Sequence, residues 1–457
     1  MASTSKKSAM EIEERNGAGR LRNRWVHEPD GRIVEAPTTT TAATTRFWEM
    51  NVRQVLYDAF LPIGYPDSVT PDYLGYQTYD SLQAFFSTIT SLLANRAVLQ
   101  GLGVGDANSS ATYALLMTIL KDGISRVATI TFAYRFGLVI EPECKKYRFL
   151  ADIFNDSAFF LDLFSPLFGA WPKVVALVFA EALRAMCGVA AGASKAALSK
   201  HFARRNNLSE LNAKESSQET AVGLFGLLIG SVVVRYVESR EAVFTLMVIL
   251  IFVHLGMNYL GVRCVQLDVL NQQRATILFQ HFLNTGKILS PAEVAKRESI
   301  IFWKPIYRPR GEAVATVVFA TSYADAMTRG IVVRPFESNQ PGSSPEQLSY
   351  QLCLCRSKTD LPIIKILLIG DPLRLPAGNV TTLEAWFSAL CLVHSPEFQN
   401  ASATEGKNFN DNDEKKDCRH VFEQLESAGW NLSETNLDTS APWMTIKMGN
   451  GEGKKEL

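Results

Sequence analysis

Hydrophobic residues concentrate in the middle of the chain in long uncharged runs. No Asp, Glu, Lys or Arg occurs from Ala242 to Val262. As a helix rising ~1.5 Å per residue, that run reaches roughly the 30 Å of a bilayer's hydrocarbon core. Ala221–Val234 is likewise uncharged, and Arg235–Glu241 between the two reads as a short turn. The pattern predicts a membrane-crossing helical hairpin, and a core hairpin buried in a large soluble domain is the alternative it leaves open. Trp171–Ala191 is a further apolar run, interrupted by Lys173, Glu181 and Arg184. Gly226 and Gly230 stand four apart, as do Gly188 and Gly192. That spacing lets helix backbones approach closely, which matters in lipid, where apolar side chains gain nothing by leaving the solvent.

Other helical segments carry polar stripes. Asp80, Gln83, Ser87, Ser91 and Asn95 recur at steps of three and four and fall on one helix face, opposite Phe85, Phe86, Ile89 and Leu93. Asp122 and Arg126 form an i,i+4 pair with the acid first, and Glu181 and Arg184 an i,i+3 pair. In a bilayer such groups face a bundle interior or a wet cavity; outside one they are solvated faces. Beyond residue 300 the pattern alternates. Gln347–Arg356 and Leu361–Leu368 read as strands joined by a Ser-Lys-Thr-Asp hairpin loop. Thr382–Val393 reads as a helix, and Cys418–Ala428 as another that Gly429 ends.

Composition narrows the class. Lys+Arg and Asp+Glu both number 46, so zero net charge argues against a strongly basic nucleic-acid binder. Residues 1–46 mix both signs, lack an apolar core and hold the low-complexity run Thr38–Thr45. They are expected to form a flexible tail, not a signal or transit peptide. Residues 401–416 are expected to be a disordered insert. Seven cysteines at irregular spacing do not make a disulfide framework. Cys353 and Cys355 fall on one face of a strand and are expected as core thiols, and Cys391 with His394 fits no zinc spacing.

Gly101, Gly103 and Gly105 form GxGxG, not the dinucleotide GxGxxG, and suit a tight interhelical turn. His27, His201, His254, His281, His394 and His420 stand in no hydrolase or metalloprotease frame. His254, inside the longest apolar run, reads as a packed polar contact between helices. Lys195, His201, Arg204 and Arg205 are a basic group suited to an anionic headgroup or a phosphorylated ligand, or to a plain juxtamembrane flank. Arg263, Arg274 and Lys287 supply the basic flank on the other side of the hairpin.

Several blocks occur in an order that resembles a known family. They are Leu61–Gln83 (LPIGYPDSVTPDYLGYQTYDSLQ), Gly101–Gly105, Leu120–Gly123, Ala151–Asp156, Gly188–Ala193, His201–Asn207 (HFARRNN), Ser217–Thr220 and Ala428–Trp430. The chain thereby resembles the root UVB sensitive family, also described as a vitamin B6 photoprotection and homeostasis domain. Lys195 departs from the family's usual arginine and Ser216 from its usual glycine. The resemblance implies a membrane protein tied to pyridoxal phosphate homeostasis and UV-B or stress response, with plant members acting at least partly in plastids. It carries over no catalytic residue. A Schiff base at Lys195 is disfavoured, because arginine at that position forms no imine.

The fold is mainly α: a multi-helix membrane-associated bundle followed by a smaller C-terminal α+β domain. Residues 1–46 form the tail, 47–298 the helical membrane domain and 299–450 the C-terminal domain, with the insert at about 401–416. The chain is expected to have no enzymatic activity, no metal and no covalent cofactor, while reversible pyridoxal phosphate binding stays open. Candidate ligand-binding residues are Tyr76, Gln77, Asp80, Gln83, Lys195, His201 and Arg204. The lipid bilayer is the expected partner, with a family member or a second copy as a further candidate and no nucleic acid. Small-ligand handling or transport is the first functional class, and a membrane-anchored adaptor using the C-terminal domain is the second.

Overall fold

The computed structural model describes residues 10–15, 21–28, 31–35, 52–101, 111–308, 312–327, 330–332, 350–355, 361–370, 378–399, 420–437 and 441–445. Strands β1 (Met10–Arg15), β2 (Leu21–His27) and β3 (Ile33–Glu35) come first. Helices α1 (Val52–Phe60), α2 (Tyr73–Gly101), α3 (Ala111–Ile140), α4 (Cys144–Phe164), α5 (Ala170–Phe202), α6 (Leu208–Tyr236) and α7 (Arg240–Cys264) follow. Next come β4 (Val269–Asn271), α8 (Gln272–Thr285), α9 (Pro291–Ala295), β5 (Ile306–Tyr307), β6 (Ala315–Phe319), α10 (Tyr323–Met327) and β7 (Gly330–Val332). The last named elements are β8 (Tyr350–Cys355), β9 (Ile363–Ile369), α11 (Gly378–His394), α12 (Pro396–Gln399), β10 (Asn431–Asn436) and β11 (Trp443–Met444), with 420–427 also helical. The chain is thus mostly helical, with a mixed α+β C-terminal region.

Among the described residues, four helical stretches are long and apolar enough to cross a membrane: Thr112–Ile140, Ala170–Phe202, Leu208–Tyr236 and Arg240–Cys264. They leave large apolar side chains uncovered, among them Ile130, Val175, Phe225 and Phe252 at 63–71% exposure. The first of the four is the one that charge obscures in the sequence, since Lys121, Asp122, Arg126 and Arg135 punctuate it.

The described residues sort into two compact units. The first draws on Met1–Ala114, Asp156–Ala180 and Lys195–Gly261, the second on Leu115–Asn155, Glu181–Ser194 and Val262–Leu457. In the first unit β1, β2 and β3 form an antiparallel sheet, within the stretch where composition predicts a flexible tail. Its hydrophobic core gathers Ile89, Leu93 and Ala94 of α2, Phe159 of α4, and Met247, Leu250 and Ile251 of α7. Helix α2 is therefore the enclosed one. Glycines on its neighbours allow this. A Cβ at Gly226 would meet Thr88 Cβ at 2.9 Å, and one at Gly261 would meet Tyr79 Cβ at 3.3 Å. Gly188 and Gly192 are different, for a Cβ at either meets nothing within 4 Å.

In the second unit, Phe132, Ile140, Tyr147, Ala151 and Ala190 make a helical core. The Lys121 and Arg184 side chains converge on Glu181 at 3.3 and 3.6 Å, while Asp122 and Arg126 are exposed and form no ion pair with each other. The α+β part holds a mixed sheet in the order β5-β6-β9-β8-β7, with β11 also on β9. The predicted hairpin is there, antiparallel, with Tyr350 opposite Leu368 and Cys355 opposite Ile363. Cys353 and Cys355 are both buried, and burial pushes the Cys353 thiol up to about 11. Helix α11 starts one turn before Thr382 and buries Trp386 against the sheet. Gly429 follows the 420–427 helix at φ +96, a left-handed conformation that suits glycine. The insert expected at 401–416 lies outside the described residues, as do Gly103 and Gly105.

A buried charge cluster closes this unit. Glu298 accepts from Lys145 of α4 and, at 2.9 Å, from Arg274 Nη1 of α8. Arg263 donates to the Glu298 and Lys296 carbonyls at 2.7 and 3.0 Å. Burial works against the Glu298 charge, but the two cations prevail and hold its pKa below the ordinary carboxylate value. Arg274, expected in the basic flank after the hairpin, is 3% exposed and committed to this cluster. It therefore presents no free charge to a membrane surface.

Candidate functional site

The site grows from the start of α2. The segment Ser68–Thr70 lies antiparallel to Phe202–Arg204: the Thr70 N–H donates to Phe202 O at 3.1 Å and the Arg204 N–H to Ser68 O at 3.2 Å. This ties the start of α2 to the end of α5. Asp72 immediately precedes α2, the helix end that favours an acidic side chain, and His201 sits in the last turn of α5. Their side chains meet at 3.0 Å between Nε2 and Oδ2, both buried. The Phe202 ring packs on Tyr73 at 5.6 Å and on Tyr76 at 5.2 Å, contacts worth about 0.5–1.5 kcal/mol each beyond their buried area.

Helices α5 and α6 pair their side chains across the connection at 203–207. Lys195 pairs with Glu219, and one turn on Ser199 Oγ donates to Glu215 Oε2 at 3.2 Å. Both helices use an i,i+4 spacing, so the two contacts are rungs of an antiparallel ladder.

Helix α2 runs beside α6 in a parallel register. Arg96 Nη1 donates to the carbonyl of Val234, 138 positions ahead, at 3.0 Å. Thr88 with Gly226 and Leu92 with Gly230 keep the same offset of 138. Carried back about three turns from Thr88, that offset brings Gln77 level with Glu215.

Other contacts agree with this register. Tyr73, Gln77 and Asp80 share one face of α2 by their spacing of four and three. The Glu215 carboxylate acts electrostatically on both Tyr73 and Asp80. Burial first, and that charge second, raise the Tyr73 phenol above its ordinary value, so it stays a neutral hydroxyl. The Tyr76 hydroxyl points at Asp80 Oδ1 from 3.5 Å.

The polar atoms at the centre are unsatisfied. Gln77 is 4% exposed, and neither its carboxamide oxygen nor its nitrogen has a hydrogen-bond partner among the described residues. Glu215 is 1% exposed, and its Oε1 is in the same condition. Each buried group left so costs about 1–3 kcal/mol, which a protein tolerates where a polar species completes the bonding.

The sequence-predicted residues divide between this cluster and its edges. Tyr76, Gln77, Asp80 and Gln83 are all buried on the first turns of α2. Lys195 and His201 each face a carboxylate, and Arg204 is exposed. Sequence reasoning missed Asp72, Ser199, Glu215 and Glu219. The available signal was the acidic pair Glu215/Glu219 mirroring Lys195/Ser199 about position 207. Further along the polar stripe Asn95 reaches the surface and donates to Ser91 at 3.5 Å. His254 is the interhelical contact its position implied, 2.8 Å from Asp156 Oδ2 and 1% exposed.

Among the described residues no three His, Cys, Asp or Glu side chains converge as a metal site would require. A separate cavity of about 630 Å³ lies at the α6–α7 turn, walled by Leu93, Phe164 and Phe244. Arg96 and Arg240 balance Glu238 and Glu241 around it, and Arg96 is already bonded to Val234 and Val237 carbonyls.

Residues 48–286 match the family described as the vitamin B6 photo-protection and homoeostasis domain. The chain belongs to that family. It is 30% identical over 398 residues to protein root UVB sensitive 3 of Arabidopsis thaliana, covering 86% of each chain. It is 42% identical over 252 residues to RUS family member 1 of Dictyostelium discoideum, covering 54% of this chain and 48% of that one. Similarity to protein root UVB sensitive 5 of Arabidopsis thaliana is 24% over 449 residues, 95% of this chain and 84% of that one. No solved structure matches the chain.

Proposed function

We propose that this chain is an integral membrane protein that handles a small polar ligand at the cluster between α2, α5 and α6, within vitamin B6 homeostasis and the associated UV-B or stress response. The observation that carries the ligand site is that the buried Gln77 carboxamide and the Glu215 Oε1 both lack a hydrogen-bond partner among the described residues, on turns that the α2–α6 register brings level. The four long apolar helices with uncovered apolar side chains support the membrane part. The family supports the vitamin B6 part. The activity is binding or movement of the ligand, not its chemical conversion. Lys195 is engaged by Glu219, which does not favour it as a free amine for a covalent cofactor.

The adaptor reading draws less support. It calls for an apolar patch on the C-terminal region, where Phe302 and Tyr323 are the exposed large apolar residues among those described beyond residue 286. The test is calorimetric titration of the full chain in detergent with the B6 vitamers pyridoxine, pyridoxamine and pyridoxal 5′-phosphate. Binding of at least one is expected, and Gln77→Leu is expected to weaken it at least tenfold. Failure of all three to bind, with Gln77→Leu merely more stable, would reject the ligand site.

A further inference from the structure

The segment after α9 holds an aromatic side chain out of the fold. Phe302 is 91% exposed, while Ile300 and Tyr307 on either side of it are buried. The backbone around it is tied down. Arg263, in the last turn of α7, donates to the carbonyls of Glu298 and Lys296 at 2.7 and 3.0 Å, and Gln273 Nε2 donates to Ser299 O at 3.2 Å. On the far side the Val317 N–H donates to Pro305 O at 3.0 Å. Phe302 is therefore presented by a fixed stretch. An exposed phenylalanine signifies little by itself, and here its position adds the meaning. Arg263 lies at the end of the candidate span Arg240–Cys264, and Lys145, which pairs with Glu298, stands just past the end of the candidate span Thr112–Ile140. Four residues of chain reach at most about 14 Å, so Phe302 lies within that distance of Glu298, on which both span ends converge.

The charges around Phe302 are mostly basic. Residues 287–305 hold Lys287, Lys296, Arg297 and Lys304, all exposed, against Glu293 and Glu298. Glu298 is buried and committed to Lys145 and Arg274 from outside the stretch. Glu293 accepts from the Ser290 N–H and hydroxyl, both at 2.8 Å, and acts on Arg297 electrostatically. Arg297 also donates to His281 Nδ1 at 3.2 Å. Among the described residues none of the four basic side chains forms an ion pair. The adjoining turns add no acidic surplus, for Glu141, Glu143 and Asp268 stand there with Lys145, Lys146, Arg263 and Arg274. Exposed cations beside an aromatic at the end of a span suit anionic lipid headgroups, to which each is drawn within about a Debye length of the surface.

On this basis, and resting on the membrane reading above, we propose that residues 296–304 are a membrane-surface anchor for the C-terminal region. Phe302 enters the headgroup boundary, and Lys296, Arg297 and Lys304 meet anionic lipid. These residues then supply the basic flank that follows the α6–α7 hairpin, a place that the enclosed Arg274 does not fill.

The test places the full-length protein in nanodiscs of phosphatidylcholine, with and without phosphatidylserine, made with lipids brominated just below the headgroup. Phe302→Trp adds an indole at an exposed position. Its emission, taken as the difference from the parent, is expected to be quenched at least twofold, and more strongly with phosphatidylserine. Combining Lys296→Glu and Lys304→Glu with that change is expected to abolish the phosphatidylserine effect. Trp171, 80% exposed in the first turn of α5, is the internal control for the spans, its share of the emission read from Trp171→Phe. Should Phe302→Trp fail to accumulate, the half-buried Trp303 of the parent, read from Trp303→Phe, gives the same measurement. Quenching of Trp171 beside a water-like, unquenched emission from the added indole would overturn the anchor, leave the spans standing and turn Phe302 over to a protein partner. Quenching of neither would overturn both. A phosphatidylserine effect that survives the double charge reversal would overturn the role of the cations.

Discussion

Gly230 of α6 lies so near Leu92 of α2 that a Cβ built on it would stand 2.5 Å from Leu92 Cδ1. The next atoms include the Ile89 Cα at 3.5 Å, so the crowding involves backbone as well as a side chain that could turn away. Gly230→Leu is therefore expected to lose about 1–3 kcal/mol or more of stability through overpacking. Gly188→Leu is the control. Its Cβ meets nothing within 4 Å, and removing a helical glycine there gains up to about 1 kcal/mol of helix propensity. Thermal unfolding in detergent reads both, and equal losses at the two positions would reject the close-approach account.

Glu298 gives the second unit a dependence on acid. Its carboxyl is held below the ordinary value by Lys145 and Arg274 against the effect of burial. A depressed carboxylate pKa contributes stability that is present above the unfolded value, near 4.3, and is lost as pH falls through the folded value. Stability to urea, followed by tryptophan fluorescence from Trp386 and Trp430, is expected to hold from pH 7 to about 5 and to fall below it. Glu298→Gln is expected to flatten that fall. At neutral pH the same change leaves Lys145 and Arg274 buried without their counter-charge, a loss of about 3–5 kcal/mol. A variant as stable as the parent at pH 7 would show that water already screens the cluster.

Much of this architecture was legible because one-dimensional patterns suffice for it. Uncharged runs marked α6 and α7, alternation marked β8 and β9, and the spacing of Gly226 and Gly230 marked a close helix contact. The identical spacing of Gly188 and Gly192 leads to no contact, because spacing reports a face and not what lies opposite it. The site was half legible for the same reason. The stripe on α2 gave Gln77 and Asp80. Glu215 stayed hidden because its meaning comes from the parallel register of α2 with α6, a pairing 138 positions apart that no local pattern encodes. Lys195 and His201 read as cations for an anionic ligand until the carboxylates that occupy them were in view.

Membrane integration has a direct biochemical readout. Four helices with apolar side chains uncovered along their length, among them Val175 and Phe252, suit lipid and not water. The full chain is expected to stay with the membrane pellet after alkaline carbonate and to be released by detergent. An Arg at Phe252, whose side chain is 71% exposed, is expected to reduce insertion, since a charge at a helix centre costs about 2.5–3.5 kcal/mol on insertion scales. Quantitative release of the parent chain by carbonate would remove the spans.

His254 and Asp156 form a polar pair between α7 and α4 at 2.8 Å, with both side chains almost wholly buried. Removing one partner takes this contact from the other, which stays buried. His254→Leu leaves a carboxylate that must stay charged without that contact or take up a proton, and Asp156→Leu leaves an imidazole in the same position. Each single change is expected to lose about 3 kcal/mol or more, within the usual range for a broken buried pair. The double replacement removes both polar groups and supplies apolar volume in their place, so it is expected to lose much less than the sum of the two. A double-mutant cycle on thermal or denaturant unfolding in detergent measures this coupling, expected at about 1–3 kcal/mol. Strict additivity would mean that each residue is held by its other neighbours and that the contact between them fixes nothing. Ligand affinity is expected to be unchanged in any variant that folds, because Asp156 and His254 belong to α4 and α7 and the proposed site to α2, α5 and α6.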